Sequence, residues 1–516
     1  MGRSFLVLMS NFMISDWGQF MIPQLYWNTG TASWLMALIL FLGERNPGEP
    51  PLVSGWLPYF GVSREFATKR LAFLQECKRH HGNVFTCLLS GQYITFITDP
   101  FAYGPASRLG PFLDFHEFAG KLLRKAFAII DYSDPKYNIS EHELHRLNAR
   151  ALQGEALADL TKSVRKTLQS IIQQEIEERQ RCSNDGWHEE GLYSFCSRIM
   201  LHAGFVTLFG HNKSLSSTTM KNVRDDFQRL DDAFAMVMAG IPMWLLRGAF
   251  KARVALEQRF LAENVETLLE PSTLIAQRIA MFNRSNTLSD LQKARAHFAV
   301  LWAAHANTLP LAFWVLFYFL RNPEALKAVR AEVEELCGAD LNLSENRIPL
   351  DQRQLNGLVN LSSAVKETMR LVSSAMHVRV AKQNFNLDLG SGRTYSIRRG
   401  DMLAMVPELT YMDPEIYAKP EEFHHDRYID EFGKERTSFQ YRGRDLKHFL
   451  MPFGSGSSMC PGRFFALNEI RQLMVLLLCH FDMELVHPED PPPKSRRNIG
   501  IQPPREDVMF RYRCKV

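Results

Sequence analysis

No two cysteines in this sequence stand at C-x-x-C spacing. The eight, Cys77, Cys87, Cys182, Cys196, Cys337, Cys460, Cys479 and Cys514, are scattered. That excludes the usual structural zinc frameworks and suits a reducing compartment better than a disulfide scaffold. His142-Glu-Leu-His145 puts its histidines at i and i+3, not the i and i+4 that a zincin helix needs. Glycine-serine linkers, low-complexity tracts and internal repeats are missing too, which argues for one large domain rather than an array. Charge of one sign is scarce: 60 Lys and Arg oppose 56 Asp and Glu, for a net +4. No basic run or arm stands out, so a nucleic-acid partner is not expected. With 46% hydrophobic and 22% charged residues, extended disorder is excluded as well.

Long apolar runs are also few near the start. Trp34-Leu-Met-Ala-Leu-Ile-Leu-Phe-Leu42 falls short of the ~20 residues of a spanning helix. Extension back to Tyr26 brings it nearly to length, and Pro47-Gly-Glu-Pro-Pro51 follows as a stiff hinge. A membrane anchor, a buried helix and an unprocessed leader all fit this stretch. The expected division is a segment at 1–46, with a possible anchor, and a single domain at 47–516.

What is present is mostly helical. Val84–Leu89 and Tyr93–Ile97 flank Ser90-Gly91-Gln92 as a hairpin. Residues 140 to 335 carry long amphipathic patterns, and 356 to 373 predict another helix. Short strands are expected around Val378 and Ser396-Ile397, an irregular meander to about Leu450, a helix over Phe464–His480, and a strand-like end at Val508–Tyr512. The class is mainly α with small β-sheets.

Chemistry concentrates at Phe453-Gly-Ser-Gly456-Ser-Ser-Met-Cys460-Pro-Gly462. Glycines permit a tight turn and a thin backbone, Pro461 suits the first position of a helix, and Cys460 falls at that helix's N-terminus. There the helix dipole is expected to lower its thiol pKa. Upstream, Glu367 and Arg370 share one helical face at i and i+3, and Phe423-His-His-Asp-Arg427-Tyr follows. Alone each is ordinary: a cysteine before a core helix, a surface ion pair. Leu301-Trp-Ala-Ala-His-Ala-Asn307-Thr308-Leu-Pro310 lies in a long apolar helix. Pro310 lacks the N–H that would close on the Ala306 carbonyl, so a kink is expected there.

Together, F-x-x-G-x-x-x-C-x-G, E-x-x-R about ninety residues earlier and the Arg427 segment resemble the cytochrome P-450 superfamily. The resemblance implies that fold, with a haem b between a long distal helix and a proximal loop-helix bearing Cys460. Cys460 would be the axial thiolate of the iron, a ligand that favours O–O cleavage. Phe453, Gly456 and Gly462 would shape the haem-binding loop, and Glu367, Arg370 and Arg427 would lock the meander beneath it. Ser458 stands where the superfamily usually has Arg or His against a haem propionate, and Arg379 is the candidate to compensate. The usual acid–alcohol pair of the distal helix is replaced: either Thr308 is the alcohol with Asn307 in the acid's place, or Asn307 holds the alcohol position beside Ala306. Asn cannot ionise, so proton delivery would depend on water, with His305 as a further possible donor.

Trp302-Ala-Ala-His-Ala-Asn-Thr-Leu-Pro, Leu152-Gln-Gly-Glu-Ala-Leu, Met412-Asp-Pro-Glu-Ile-Tyr417 and Met451-Pro-Phe-Gly-Ser-Gly look like the sterol 7α-hydroxylases. Sterol 12α-hydroxylase and prostacyclin synthase are clan neighbours. The resemblance implies hydroxylation of a steroid, cholesterol or an oxysterol, on the endoplasmic reticulum membrane with the catalytic domain facing the cytosol. Trp302, Ala303, Asn307 and Ala375 would line the substrate space, and electrons would come from NADPH through a flavoprotein reductase docking near Arg463. Two rivals make other predictions. A prostacyclin-synthase-like isomerase of an endoperoxide needs no NADPH, and a haem- or sterol-binding relic turns nothing over.

Overall fold

Ser90 and Gly91 both take positive φ, 48° and 78°, the conformation that matches a two-residue turn to the right-handed twist of a hairpin. The strands it joins, β2 (Val84–Leu89) after β1 (Leu52–Val53) and before β3 (Gln92–Ile97), pair antiparallel from Val84↔Ile97 to Leu89↔Gln92. With β4 (Leu113–Asp114), β5 (His377–Ala381) and β6 (Met402–Met405) they form a six-stranded sheet of order β1-β2-β3-β6-β5-β4. The computed structural model describes residues 46–515 apart from 56–58, 133, 183–185, 212–216, 338–349, 375, 391, 497 and 499. The possible anchor within 1–46 thus lies outside the described residues.

The rest is chiefly helical, and seven helices frame the site: α1 (Gly154–Cys182), α2 (Leu192–Phe209), α3 (Ser217–Met238), α4 (Asp290–His305), α5 (Thr308–Arg321), α6 (Val359–Val372) and α7 (Arg463–His480). In α2, α5 and α7 nearly every residue is buried, as expected of helices apolar all round. α2 packs on both α1 and α5, α7 packs on α1 and α5, and α5 packs on α6. All contribute to one core cluster, which runs from Ala126 to Tyr512. Among the described residues, two apolar helical stretches, Leu192–Phe209 and Asp290–Arg321, are long enough to cross a membrane, yet 78% and 72% of an apolar 18-residue segment in each is buried in the protein. A second, three-stranded sheet joins Phe481–Leu485, Met509–Cys514 and His188–Gly191.

The distal helix breaks where proline predicts. α4 ends at His305, α5 begins at Thr308, and Ala306-Asn307 form a turn between them. Helical bonding resumes when the Leu311 N–H reaches the Asn307 carbonyl at 3.1 Å. Pro310 cannot donate to Ala306, so that carbonyl has no helical partner.

Candidate active site

The loop before α7 is closed by the Cys460 N–H, which donates to the Phe453 carbonyl at 2.8 Å. Gly456, at φ +61°, lies so close to Ser107 that a Cβ there would stand 2.6 Å from its carbonyl oxygen. Only glycine turns the chain here without pushing the loop away from its support. Gly462 precedes the first turn of α7, and a Cβ on it would lie 3.9 Å from the Cys460 sulfur. The backbone N–H groups of Gly462 and Arg463 bond to that sulfur and, with the Arg463 charge, favour the thiolate. Burial outweighs them, and the thiol is pushed up rather than down, which corrects the expectation from the helix dipole alone. Cys460 is nevertheless an exposed residue as a whole, although protein crowds around its thiol.

Arg379, on β5, is buried and donates from Nη2 to the Ser455 carbonyl at 2.8 Å, within the same loop. Burial pulls its guanidinium below the usual range, and among the described residues no carboxylate pairs with it. A thiol on the loop, a backbone kept thin at Gly462 and a buried cation lacking a carboxylate form the donor set that an iron-bearing, dianionic macrocycle requires. The residues present therefore fit a haem.

Behind this loop, Glu367 and Arg370 of α6 are both fully buried. Their bidentate pair has both N–O distances at 2.8 Å. Arg427 joins from the meander, its Nε donating to Glu367 Oε1 at 2.8 Å. The arginines then satisfy backbone carbonyls of the meander: Arg370 reaches Tyr411 and Pro420, and Arg427 reaches Ala418. One carboxylate thus pairs with two guanidiniums, whose remaining protons tie down an irregular chain. Burial alone would disfavour the charge on Arg370, but its bonds to Glu367 hold its pKa above the usual value.

On the distal side, Asn307 and Ala303 are exposed, one helical turn apart, and Trp302 is half-buried beside them. Thr308 is buried, its hydroxyl donating back to the Ala304 carbonyl at 2.7 Å. Of the two candidates, Asn307 faces the open side and Thr308 does not. Asn307 Oδ1 accepts the Ile501 N–H at 2.9 Å. Gly500 beside it, at φ +87°, has no room for a Cβ, which would sit 2.2 Å from that oxygen. This bond occupies the amide oxygen and leaves the Nδ2 protons facing away from Ile501.

His305 is two residues from Asn307, about 200° around a helix, and fully buried. Its Nδ1 bonds to the Leu301 carbonyl at 2.8 Å, and burial lowers its pKa to about 4. At neutral pH it is uncharged and turned away, so it is not the extra proton donor that the sequence suggested. Ala375 lies outside the described residues. Sequence reasoning also missed a polar partner of the distal helix, Asp231, and the two side chains that bond to it, Arg496 and Asn498. Asp231 accepts from Trp302 Nε1 at 3.3 Å, yet nothing in one of four aspartates on an amphipathic helix signals that contact.

Comparison with known proteins accords with this geometry. A family model described as Cytochrome P450 matches residues 50–510. Cholesterol 7-alpha-monooxygenase of Cricetulus griseus is 39% identical over 481 residues, 92% of this chain and 95% of that protein. Cytochrome P450 7B1 of Mus musculus is 35% identical over 94% of this chain and 95% of its own length. The 7-alpha-hydroxycholest-4-en-3-one 12-alpha-hydroxylase of Homo sapiens is 32% identical over 92% and 94%.

Proposed function

Because this chain belongs to the cytochrome P450 family and is a haem-thiolate monooxygenase, we propose that it hydroxylates a steroid at the 7α position, with cholesterol or an oxysterol as substrate. Its electrons come from NADPH through a flavoprotein reductase, at the endoplasmic reticulum membrane with the catalytic domain in the cytosol. The observation that carries the reading is the open distal face of Ala303 and Asn307, in a chain 39% identical to a cholesterol 7-alpha-monooxygenase.

Cys460 would hold a haem, with Arg379 available to its carboxylates, and the haem would supply the activation of dioxygen; the protein supplies position and protons. Asn307 presents Nδ2 as a donor, because Ile501 holds its oxygen. An amide donor orients a hydroxyl, a carbonyl or a water, but it cannot release a proton. Protons therefore arrive through water that Asn307 orders, the Thr308 hydroxyl being committed to Ala304. Ala303 leaves a shallow floor for a flat ring system, and the half-buried Trp302 walls it. The fused rings of a sterol bring apolar area to such a surface.

Membrane-bound protein incubated with reductase, NADPH and a panel of sterols tests this by product regiochemistry. An NADPH-dependent 7α-hydroxysterol is the expected outcome. A 12α product would reassign the position, and conversion of an endoperoxide without NADPH would overturn the monooxygenase reaction on sterols. Within that assay the two distal side chains should separate. Asn307→Ala is expected to cut turnover about ten- to hundredfold, the effect of losing one well-placed hydrogen bond of ~1.5–3 kcal/mol. Thr308→Val should leave turnover within about threefold and lower stability by ~1 kcal/mol, since its bond serves the helix. Equal turnover losses in the two variants would contradict this division of roles.

A further inference from the structure

The described residues of the loop from Ser495 to Pro504 meet the distal helix at Asn307 and are held at several points, among them Gln502, whose N–H reaches the Val372 carbonyl and whose carbonyl accepts from Trp314 Nε1. The base of the loop is closed by the Ser495↔Pro504 bridge and by the Arg496 N–H on the Pro503 carbonyl at 2.7 Å. Toward the site, Ile501 N–H meets Asn307 Oδ1, and the Gly500 and Asn498 carbonyls accept from the Ser374 N–H and hydroxyl at 2.8 and 3.0 Å. On the far side stands Asp231, near the end of α3 and only 4% exposed.

Three donors from two separate stretches of chain converge on that one carboxylate. Trp302 Nε1 reaches Oδ1 at 3.3 Å, Arg496 Nη2 reaches Oδ2 at 3.1 Å, and Asn498 Nδ2 lies 3.3 and 3.1 Å from the two oxygens. The Trp302 ring is fixed on its other sides by stacking on Phe234, with centroids 4.3 Å apart, and by Phe127 at 5.4 Å. Arg496 also bridges to the exposed Asp232 at 2.6 Å, an ordinary surface contact worth little. Asp231 differs because it is buried and touches both the helix and the loop that clamps Asn307.

We propose that Asp231 is a positioning residue for the reaction: it fixes the Trp302 indole directly, and through Asn498 and the loop it fixes the orientation of the Asn307 amide. The inference rests on the reading of Trp302 and Asn307 as the walls of the substrate space. Asn498 stands three positions before Ile501 in the same loop, so freedom at the first is passed toward the N–H that holds Asn307, against the further hold of the Ser373↔Ile501 bridge and of Gln502 on Val372 and Trp314. The three side chains that bond to Asp231 all donate to it, which suits a carboxylate better than an amide of the same shape: Asn would turn an N–H₂ toward N–H donors.

Asp231→Asn is therefore the test, read in two ways. In the resting haem protein, amide exchange within 495–504 should speed up about tenfold or more, since a buried charge-assisted anchor is lost. With the sterol, KM should rise and the product distribution broaden, while the thiolate-type carbonyl spectrum persists. The reciprocal exchange Asp231→Asn with Asn498→Asp returns a carboxylate to the cluster opposite an amide donor, and should restore most of both. Asp225→Asn, on the same helix, should change neither. Unchanged exchange in 495–504, or an unchanged KM and product distribution, would overturn the proposal. So would failure of the reciprocal exchange to recover either readout. If Asp231→Asn does not retain haem, Asn498→Ala, which removes one of the two loop donors and leaves Arg496, is judged by the same two readouts. Should the wild-type protein turn over no sterol, the proposed substrate fails, but the exchange measurement still decides whether Asp231 anchors the loop.

Discussion

Cys460→Ser is expected to reduce turnover below detection and to abolish the thiolate-type carbonyl spectrum, with the fold left intact. The loop geometry depends on the backbone: the Cys460 N–H on Phe453 and the turn at Gly456 survive the substitution. A serine hydroxyl is a far weaker acid than a thiol and supplies none of the electron donation that cleavage of O–O needs. Far-ultraviolet dichroism and the melting temperature of the haem-free protein should match wild type. A variant that keeps its carbonyl spectrum would remove Cys460 from the iron. The same residue gives a pH dependence. Burial raises the Cys460 thiol above its ordinary value, so the haem-free protein carries the proton at neutral pH. A metal-bound thiol is deprotonated outright, so loading the iron must expel that proton. Below the thiol pKa, haem affinity should then rise about tenfold per pH unit. Haem titration of the haem-free protein at several pH values, with proton release measured in weakly buffered solution, checks both sign and slope. Affinity that falls as pH rises would mean the sulfur is not the group that ionises.

Local pattern made parts of this molecule legible and left others hidden. The hairpin at Ser90-Gly91, the helix after Pro461 and the break ahead of Pro310 each follow from the conformational limits of one or two residues. E-x-x-R and the Arg427 segment could be matched as motifs. That one carboxylate would serve both arginines, and that they would hold five backbone carbonyls, follows only from the fold. Proximity in sequence misled once and left one choice open. The dipole at the α7 N-terminus suggested an acidic thiol, but desolvation at Cys460 is larger and no sequence pattern measures it. Asn307 and Thr308 are neighbours of equal promise in the sequence, yet a 100° step around the helix puts one in the open and the other in the core. The Asp231 cluster was beyond reach, because Asp231, Trp302 and Arg496 come from widely separated stretches of chain.

Glu367→Ala should cost more stability than any other single change in the network, because it strands two charges at once. Arg370 has no exposed surface and Arg427 keeps 8% of its side chain exposed. Neither guanidinium has another carboxylate within salt-bridge distance among the described residues. Removing one partner of a buried pair costs about 3–5 kcal/mol, against a total stability of about 5–15 kcal/mol for a domain. The loss falls on the meander, whose carbonyls at Tyr411, Pro420 and Ala418 depend on those guanidiniums, and the meander leads directly into the Cys460 loop. Most of the expressed variant should therefore lack haem, and the remainder should melt well below wild type. Glu367→Gln keeps one acceptor oxygen but no charge, and should fall between the two. Arg370→Ala leaves Glu367 paired with Arg427, so it is expected to be milder than Glu367→Ala although both delete a fully buried ion. Haem content per polypeptide and thermal melts of the three variants give the order directly. If Arg370→Ala proves the more damaging, its carbonyl contacts outweigh the charge balance, and the network is held together by hydrogen bonding to the meander more than by the shared carboxylate.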